Sequence, residues 1–367
     1  MYVWERDDWP RWCWDAEVLA APLADVSRAQ GVLLGRLADL GLGARERASL
    51  SALTEDVVDS AAIEGERLDP ASVRSSIARR LGVDIGALAP VDRRVEGMVE
   101  TILDATARSA EPVTAKRLKA WQAALFPTGR SGLSTVATGR WRDDAGGPMQ
   151  VVSGPTNRPR VHFEAPPAAR LDAEMRRFVA WVEADTPEPA LLKAGLAHLW
   201  LVTIHPFDDG NGRVARAVGD LMLARADGSP LRFYSLSVQL QRERSVYYDM
   251  LERTQKGDLD ATDWSVWFLE ALGRAVGAAE ASLDRTLVKA RFWRRWAGES
   301  FNPRQAKLLN RLLDGFDGRL TSRRWASMAH CSPDTALRDI NALVRLGVLR
   351  RGDAGGRSTW YELVMSS

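Results

Sequence analysis

The chain has 367 residues, 46% of them hydrophobic and 27% charged, with a formal net charge of +2. This is an ordinary globular balance, long enough for two or three domains, and it excludes a nucleic-acid polyelectrolyte. No run of 18 apolar residues occurs, so no membrane span is expected.

The first residues, MYVWERDDWPRW, are aromatic and acidic and lack the layout of a secretory signal. Cys13 and Cys331 lie far apart without metal-type spacing, which fits a reducing, cytoplasmic setting. Trp4, Trp9, Trp12 and Trp14 surround Pro10 and read as an aromatic strap laid across a domain. Residues 16–43 form a helix on their apolar positions, Val18, Leu19, Leu23, Val26, Leu33, Leu34, Leu37 and Leu40, with Gly41 and Gly43 ending it. The next helix, 44–64, turns Leu50, Leu53, Val57 and Ile63 inward and ends in SAAIEG. Ser60 and Glu64 share a face at i and i+4, and Gly65 suits the left-handed residue just past a helix end. Glu64 therefore sits at the negative end of the helix dipole; either water screens it or a cation partner awaits it.

Further helices are expected at 70–81, 90–108 and 114–126, with Pro70 and Pro112 as ordinary punctuation. Residues 131–168 lose helical period, and TGRWRDDAGGPMQVVSG (138–154) reads as a β-hairpin. Trp141 falls on one arm, Gly146-Gly147 at the turn, and Met149, Gln150, Val151 and Val152 on the other arm. An exposed strand edge of this kind can pair with an extended peptide. Arg142 is either structural or aimed at a substrate phosphate. Helices at 168–184 and 190–204 follow, the second ending in the apolar run AHLWLVTI.

Residues 205–216, HPFDDGNGRVAR, form a polar turn between that apolar helix and the helix 212–226. Glycines allow close backbone approach, helix-start amides favour an anion, and paired arginines fork onto phosphate oxygens. A carboxylate just before such a nest suits Mg²⁺, which binds through one or two carboxylates plus substrate phosphates. Base, acid, nest and arginine pair in that order describe a nucleoside polyphosphate site with His205 as its base.

This stretch resembles the Fic family signature, HPFx(D/E)GNGRxxR, without mismatch. The resemblance implies a helical bundle that transfers AMP from ATP to a protein hydroxyl. It implies His205 as the general base and Asp209 as the Mg²⁺ ligand. Gly210, Asn211 and Gly212 would form the anion nest, with Arg213 and Arg216 on the outer phosphates. Phe207 would pack the loop down, and Asp208, at the variable position, is given no role. Residues 60–65 are similar to the family's inhibitory motif, (S/T)xxxE(G/N), in the class whose inhibitory helix precedes the core. By that likeness Ser60, Glu64 and Gly65 are the inhibitory residues, and Glu64 pairs with Arg216, displaces the outer phosphate and turns ATP into a non-productive pose. WPRWCWD resembles the small N-terminal region of one Fic subgroup, and GRWR…VVSG resembles the family's target-binding flap.

Tyr247, Tyr248 and Leu251 fall on helical spacing and are either core or, for a tyrosine, the lining of an adenine pocket. A connector helix is expected at 274–300, then helices at 303–315 and 322–329, a helix starting at Ser332-Pro333, and a hairpin, LRRGDAGGRSTWYEL. That order reads as a winged helix. Residues 302–367 carry eleven Lys/Arg against six Asp/Glu, a net +5, as in a DNA-binding module or a protein-contact one.

The expected fold is thus mostly α: a Fic helical bundle with a small β-hairpin flap, plus a C-terminal winged helix-turn-helix domain. Its parts are 1–110, an N-terminal helical region with the inhibitory helix at about 45–65; 111–285, the catalytic core with flap 138–154; and 286–367, connector helix and winged helix. The expected activity is a Mg²⁺-dependent protein adenylyltransferase, using ATP on a hydroxyl of itself or a partner protein and held off by Glu64. Its rivals are removal of AMP at the same site and a DNA-binding regulator whose Fic domain only senses nucleotide. A homodimer is expected as a switch for such an inhibited enzyme. Gly212 leaves room for a triphosphate, which disfavours a kinase.

Overall fold

Helical periodicity governs most of the chain, and the computed structural model describes residues 1–154, 158–313, 315–316, 318–352 and 359–364. They fall into two compact units, Met1–Ala279 and Glu280–Ser367.

The first unit opens with α1 (Ala16–Ala38), α2 (Leu42–Ile63), α3 (Pro70–Leu81), α4 (Arg93–Ala107) and α5 (Ala115–Leu125). Each of the last three starts on a side-chain cap. Asp69 accepts from Ala71 and Ser72, Asp92 from Arg94 and Val95, and Thr114 from Arg117. Such caps contribute about 1 kcal/mol each. Gly97 lets α4 and α5 touch, since a Cβ there would lie 1.8 Å from the Ala124 carbonyl oxygen.

Two short antiparallel pairs follow, β1 (Arg130–Ser131) with β2 (Ser134–Thr135), and β3 (Gln150–Ser153) with β4 (Arg160–Glu164). Then come α6 (Leu171–Glu183), α7 (Ala190–Ile204), α8 (Asn211–Asp227), α9 (Leu236–Arg242), α10 (Arg244–Lys256) and α11 (Thr262–Arg295), whose residues from Glu280 on belong to the second unit. In α7 every residue from Leu191 to Ile204 is buried. A helix apolar all round belongs at the centre of a bundle. α7 packs chiefly on α8, with α1 and α6 on its other sides, while α4, α5 and α2 pack on α8.

The tryptophan strap lies as its composition suggests. Trp4 Nε1 donates to the Glu164 carbonyl at 2.7 Å and Trp9 Nε1 to Glu174 at 2.9 Å. Trp9 also meets Trp12 and Trp200 edge-on.

Three expectations change. The helix expected to run to residue 43 ends at Ala38, and Gly41, with extended backbone, becomes the N-cap of α2. The hairpin expected at 138–154 is not formed within that segment: its strand β3 pairs instead with β4, with a bulge at Val151/Val152. The segment around Arg142 commits its backbone donor elsewhere, Arg142 N donating to the Pro206 carbonyl at 2.9 Å. The connector expected at 274–300 is the tail of α11, which already starts at Thr262.

In the second unit lie α12 (Pro303–Leu313), α13 (Ser322–Ala329), α14 (Pro333–Arg345) and the antiparallel pair β5 (Leu349–Arg351) and β6 (Tyr361–Leu363). Leu308, Leu309, Trp325, Ile340, Leu343 and Val348 form its core. Thr321 and Ser332 cap α13 and α14. The expected glycine turn at 353–358 lies outside the described residues. Cys13 and Cys331 are both free. Among the described residues no helix is long and apolar enough to cross a membrane.

Candidate active site

The apolar helix α7 stops at His205, which takes the left-handed conformation (φ 52°, ψ 57°) while its N–H still donates to the Leu201 carbonyl. A non-glycine residue there costs about 1 kcal/mol, strain that the surrounding contacts must hold. Those contacts are visible. Arg142, its side chain fully enclosed, donates from Nε to the His205 carbonyl at 2.8 Å. Its two terminal nitrogens reach Asp144 at 2.9 Å and the Pro166 carbonyl at 2.5 Å. Of the two roles left open for Arg142, the structural one is what the side chain performs here. Trp141 lies against the loop, its ring centre 5.1 Å from that of Phe207, with the Lys119 ammonium 4.3 Å from the Trp141 ring centre.

His205 Nδ1 lies 3.1 Å from the Val202 carbonyl. A carbonyl can only accept, so the ring proton sits on Nδ1 and Nε2 keeps its lone pair. Burial pushes the imidazole below its ordinary range, and the nearby Arg142 charge acts the same way. The group is therefore neutral near pH 7 and able to take a proton.

The loop after His205 is closed by its own residues. Asn211 Nδ2 donates to the Phe207 carbonyl at 2.7 Å and its Oδ1 accepts from Phe207 N at 2.9 Å. Phe207 is fully buried beneath it. Asp208, given no role above, accepts from Ala137 N at 3.0 Å and ties down the segment leading to Arg142. Gly210 is the N-cap of α8 with φ +86°, and a Cβ there would press the Phe126 ring at 2.9 Å. No side chain caps α8, so its first amides are left for an anion.

The two arginines on α8 face the end of α2. Arg216, almost wholly buried, donates from Nε to Ser60 Oγ, from Nη2 to the Ser60 carbonyl and from Nη1 to Glu64 Oε1, each at 2.9 Å. The cation partner left open for Glu64 is thus Arg216. Burial alone raises the Glu64 carboxyl, but the charges of Arg216 and Arg213 outweigh it and hold the group below the usual glutamate range. Gly65, at φ +80°, turns the chain directly behind it. A Cβ on Gly212 would sit 2.3 Å from Glu64 Oε1, so the glutamate lies against the first turn of α8. Arg213 pairs with Glu66 at 2.9 Å and rests 4.9 Å from the Phe126 ring centre. Glu64, Glu66, Asp209 and Arg213 line a cavity of about 560 Å³.

Comparison with known sequences matches residues 112–223 to the Fic/DOC family and residues 2–83 to a domain of unknown function (DUF4172). Residues 112–223 are a Fic/DOC domain. Its relatives include proteins named protein adenylyltransferase Fic. The one from Drosophila melanogaster is 28% identical over 221 residues, 59% of this chain and 40% of its own. The one from Nematostella vectensis is 37% identical over 104 residues, 27% of this chain and 22% of its own. The chain thus spans well under half the length of these curated relatives. A Fic family protein from Desulfovibrio desulfuricans shares the fold with a TM-score of 0.56 at 22% identity, covering 95% of this chain and 97% of that one. Fic-1 from C. elegans gives 0.51 at 19%, covering 74% of this chain and 75% of that one.

Within and around the Fic domain the remaining expected residues fall in different places. Tyr247 is buried, its hydroxyl 2.9 Å from His198 Nε2 and its ring stacked 5.9 Å from Trp267, so here it is core rather than pocket lining. Burial also holds its hydroxyl proton on, pushing it above the ordinary tyrosine range. Tyr248 is less enclosed and its hydroxyl lies 3.5 Å from Glu64 Oε2, beside the Glu64–Arg216 contact. On the flap, Gln150 bonds Glu164 at 2.8 Å, Val151 is half-buried, Val152 is exposed, and the Met149 carbonyl accepts from Ala165 N. Among the described residues β3 pairs only with β4, which leaves its other edge open. Three contributors escaped the motif: Phe126 under Arg213, Gln122, whose amide reaches the Ala137 carbonyl at 3.2 Å, and Glu66. The signal for Glu66 was present, a second acid one glycine beyond Glu64.

Proposed function

We propose that this protein transfers AMP from ATP to a hydroxyl side chain of a protein, itself or a partner, and that Glu64 holds the reaction off. The observation that carries this reading is His205, with Nδ1 given to the Val202 carbonyl and Nε2 free to accept, set beside the bare N-terminus of α8. His205 Nε2 takes the proton of the attacking hydroxyl. The hydroxyl oxygen bonds the α-phosphorus as the bond from that phosphorus to the bridging oxygen breaks. Pyrophosphate leaves with the electron pair. The amides of Asn211 and Gly212 face the charge that builds on the α-phosphate, and Arg213 and Arg216 bind the departing oxygens.

Asp209 suits a Mg²⁺ ligand. Its carboxylate lines the cavity, and among the described residues no cluster of three or more ligating side chains could hold a metal unaided. An ion there would lean on Asp209 and on the nucleotide's own oxygens, neutralising phosphate charge.

In the same reading the Ser60–Arg216–Glu64 contact competes with the outer phosphates for Arg216. Because Glu64 lies against Gly212, it is also placed to orient a water, which favours AMP removal as the second activity. The helix order and hairpin of the second unit support a winged helix, and the net +5 of residues 302–367 supports duplex DNA as its ligand. The test is label transfer to protein from α-labelled and from γ-labelled ATP. Label from α alone, absent once His205 is Ala, supports AMP transfer; label from γ alone would mean a kinase and overturn it.

A further inference from the structure

The Glu64–Arg216 contact has a neighbour that the proposed mechanism does not use. Arg213 is held by its own glutamate, Glu66 Oε2 lying 2.9 Å from Arg213 Nη1. Two arginines at i and i+3 on α8 are thus met by two carboxylates at i and i+2 on the end of α2. Gly65, at φ +80°, makes that possible, since it turns the chain between the two acids. The pair is also fixed to one support: Glu66 N donates to the Ala61 carbonyl at 3.1 Å and Glu64 N to the same carbonyl at 3.1 Å.

The Arg213 end of the contact is incompletely satisfied. Its side chain is only 9% exposed, and its guanidinium lies over the Phe126 ring, yet Nε is buried with no acceptor among the described residues. Glu66 thus gives the fork its one close carboxylate bond, with Asp209 Oδ1 at a looser 3.8 Å from Nη2, and a phosphate group, with three oxygens, can use the donor more fully. Glu66 itself is 28% exposed and borders the cavity, so it can swing away.

We propose that Glu66 stands in for a nucleotide phosphate on Arg213 and makes the site discriminate nucleotides by the number of their phosphates. This rests on the AMP-transfer reading above. A monophosphate reaches the amides at the start of α8 without touching Arg213. A β- or γ-phosphate must first displace Glu66. Glu66 is a gating and positioning residue; it takes no part in the bond-forming step.

The experiment is calorimetric binding of AMP, ADP and ATP, with Mg²⁺, to the full chain as wild type, Glu66→Gln, Glu66→Asp and Glu64→Gln. Removing the charge of Glu66 is expected to tighten ADP and ATP about tenfold and to leave AMP within about twofold. Glu66→Asp, which keeps the charge, is expected to stay near wild type. Equal tightening of all three nucleotides, or none for ATP, overturns the gate, because a merely structural residue has no means of sorting ligands by phosphate number. If Glu64→Gln gains ATP affinity and Glu66→Gln does not, the gate falls alone. If no variant binds any nucleotide, the AMP-transfer reading falls with it.

Discussion

Replacing Glu64 by Gly tests the proposed inhibitory role of its contact with Arg216 most directly. The bond to Arg216 is charge-assisted, and such bonds to buried charges contribute about 1.5–3 kcal/mol. Glu64 is 33% exposed, however, so solvent screening brings its share down to about 1–2 kcal/mol. Arg216 keeps both bonds to Ser60, so the fold should hold and the guanidinium should stay near its place. If the contact and the outer phosphate compete for Arg216, that energy converts to about a 5–30-fold rise in AMP transfer. The assay follows α-labelled ATP into protein for wild type, Glu64→Gly and Glu64→Gly/His205→Ala, beside γ-labelled ATP. Label from α only, raised in the single variant and absent in the double, is the expected pattern. Equal labelling of wild type and Glu64→Gly, with pure protein and in lysate and with matching Tm values, would refute the inhibitory role.

Burial holds the His205 imidazole below its ordinary range, so the acid limb of kcat/KM should lie below that of an ordinary histidine. A midpoint above pH 6.5 would contradict it. The depressed Glu64 carboxyl stays charged above the ordinary glutamate range, and its contact is lost only as pH falls through the lower folded value. The activation by Glu64→Gly should therefore be flat from pH 6 to 8. Arg142→Ala leaves the buried His205 and Pro166 carbonyls without donors, and urea unfolding should show a loss of about 3 kcal/mol together with reduced transfer. His205→Gly removes the left-handed strain and should raise Tm while ending transfer, and a fall in Tm would deny that strain. If the second unit binds duplex DNA, anisotropy should show affinity falling steeply with salt, and salt-independent binding would point to a protein contact instead.

The motif 205–216 was legible because it is local: His205, Gly210, Asn211, Gly212, Arg213 and Arg216 are close in sequence and meet at the junction of α7 and α8. The contact of Glu64 with Arg216 was only half legible. A carboxylate at the C-terminus of a helix calls for water or a cation, and it was the resemblance to the Fic inhibitory motif that named Arg216. What was lost is non-local. The partner of β3 is β4 rather than the segment before it, because Arg142 turns inward to the His205 and Pro166 carbonyls. Nothing in the sequence around Arg142 records those two acceptors, which lie 63 and 24 residues away. Tyr247 and Tyr248 are adjacent on α10 and look alike in sequence, yet His198 encloses one while the other faces Glu64.

The end of α2 also explains why such a contact can be released. The dipole of α2 opposes a carboxylate at its C-terminus, so Glu64 is stabilised there by Arg216 and the charges beside it rather than by its own helix. When a phosphate takes Arg216, Glu64 loses that compensation and is left at an unfavourable position. Gly65 adjoins it with a backbone that few other residues adopt, and the helix hydrogen bonds end at Ala61 and Ala62. A rigid α-helical position for Glu64 would make the contact stronger and slower to open. Placed at the cap, the glutamate holds the arginine firmly while no phosphate is present and loses its main stabilising partner when one arrives. On the proposed reading the contact is a competition for one guanidinium, set by nucleotide concentration and reversed without a remote conformational change.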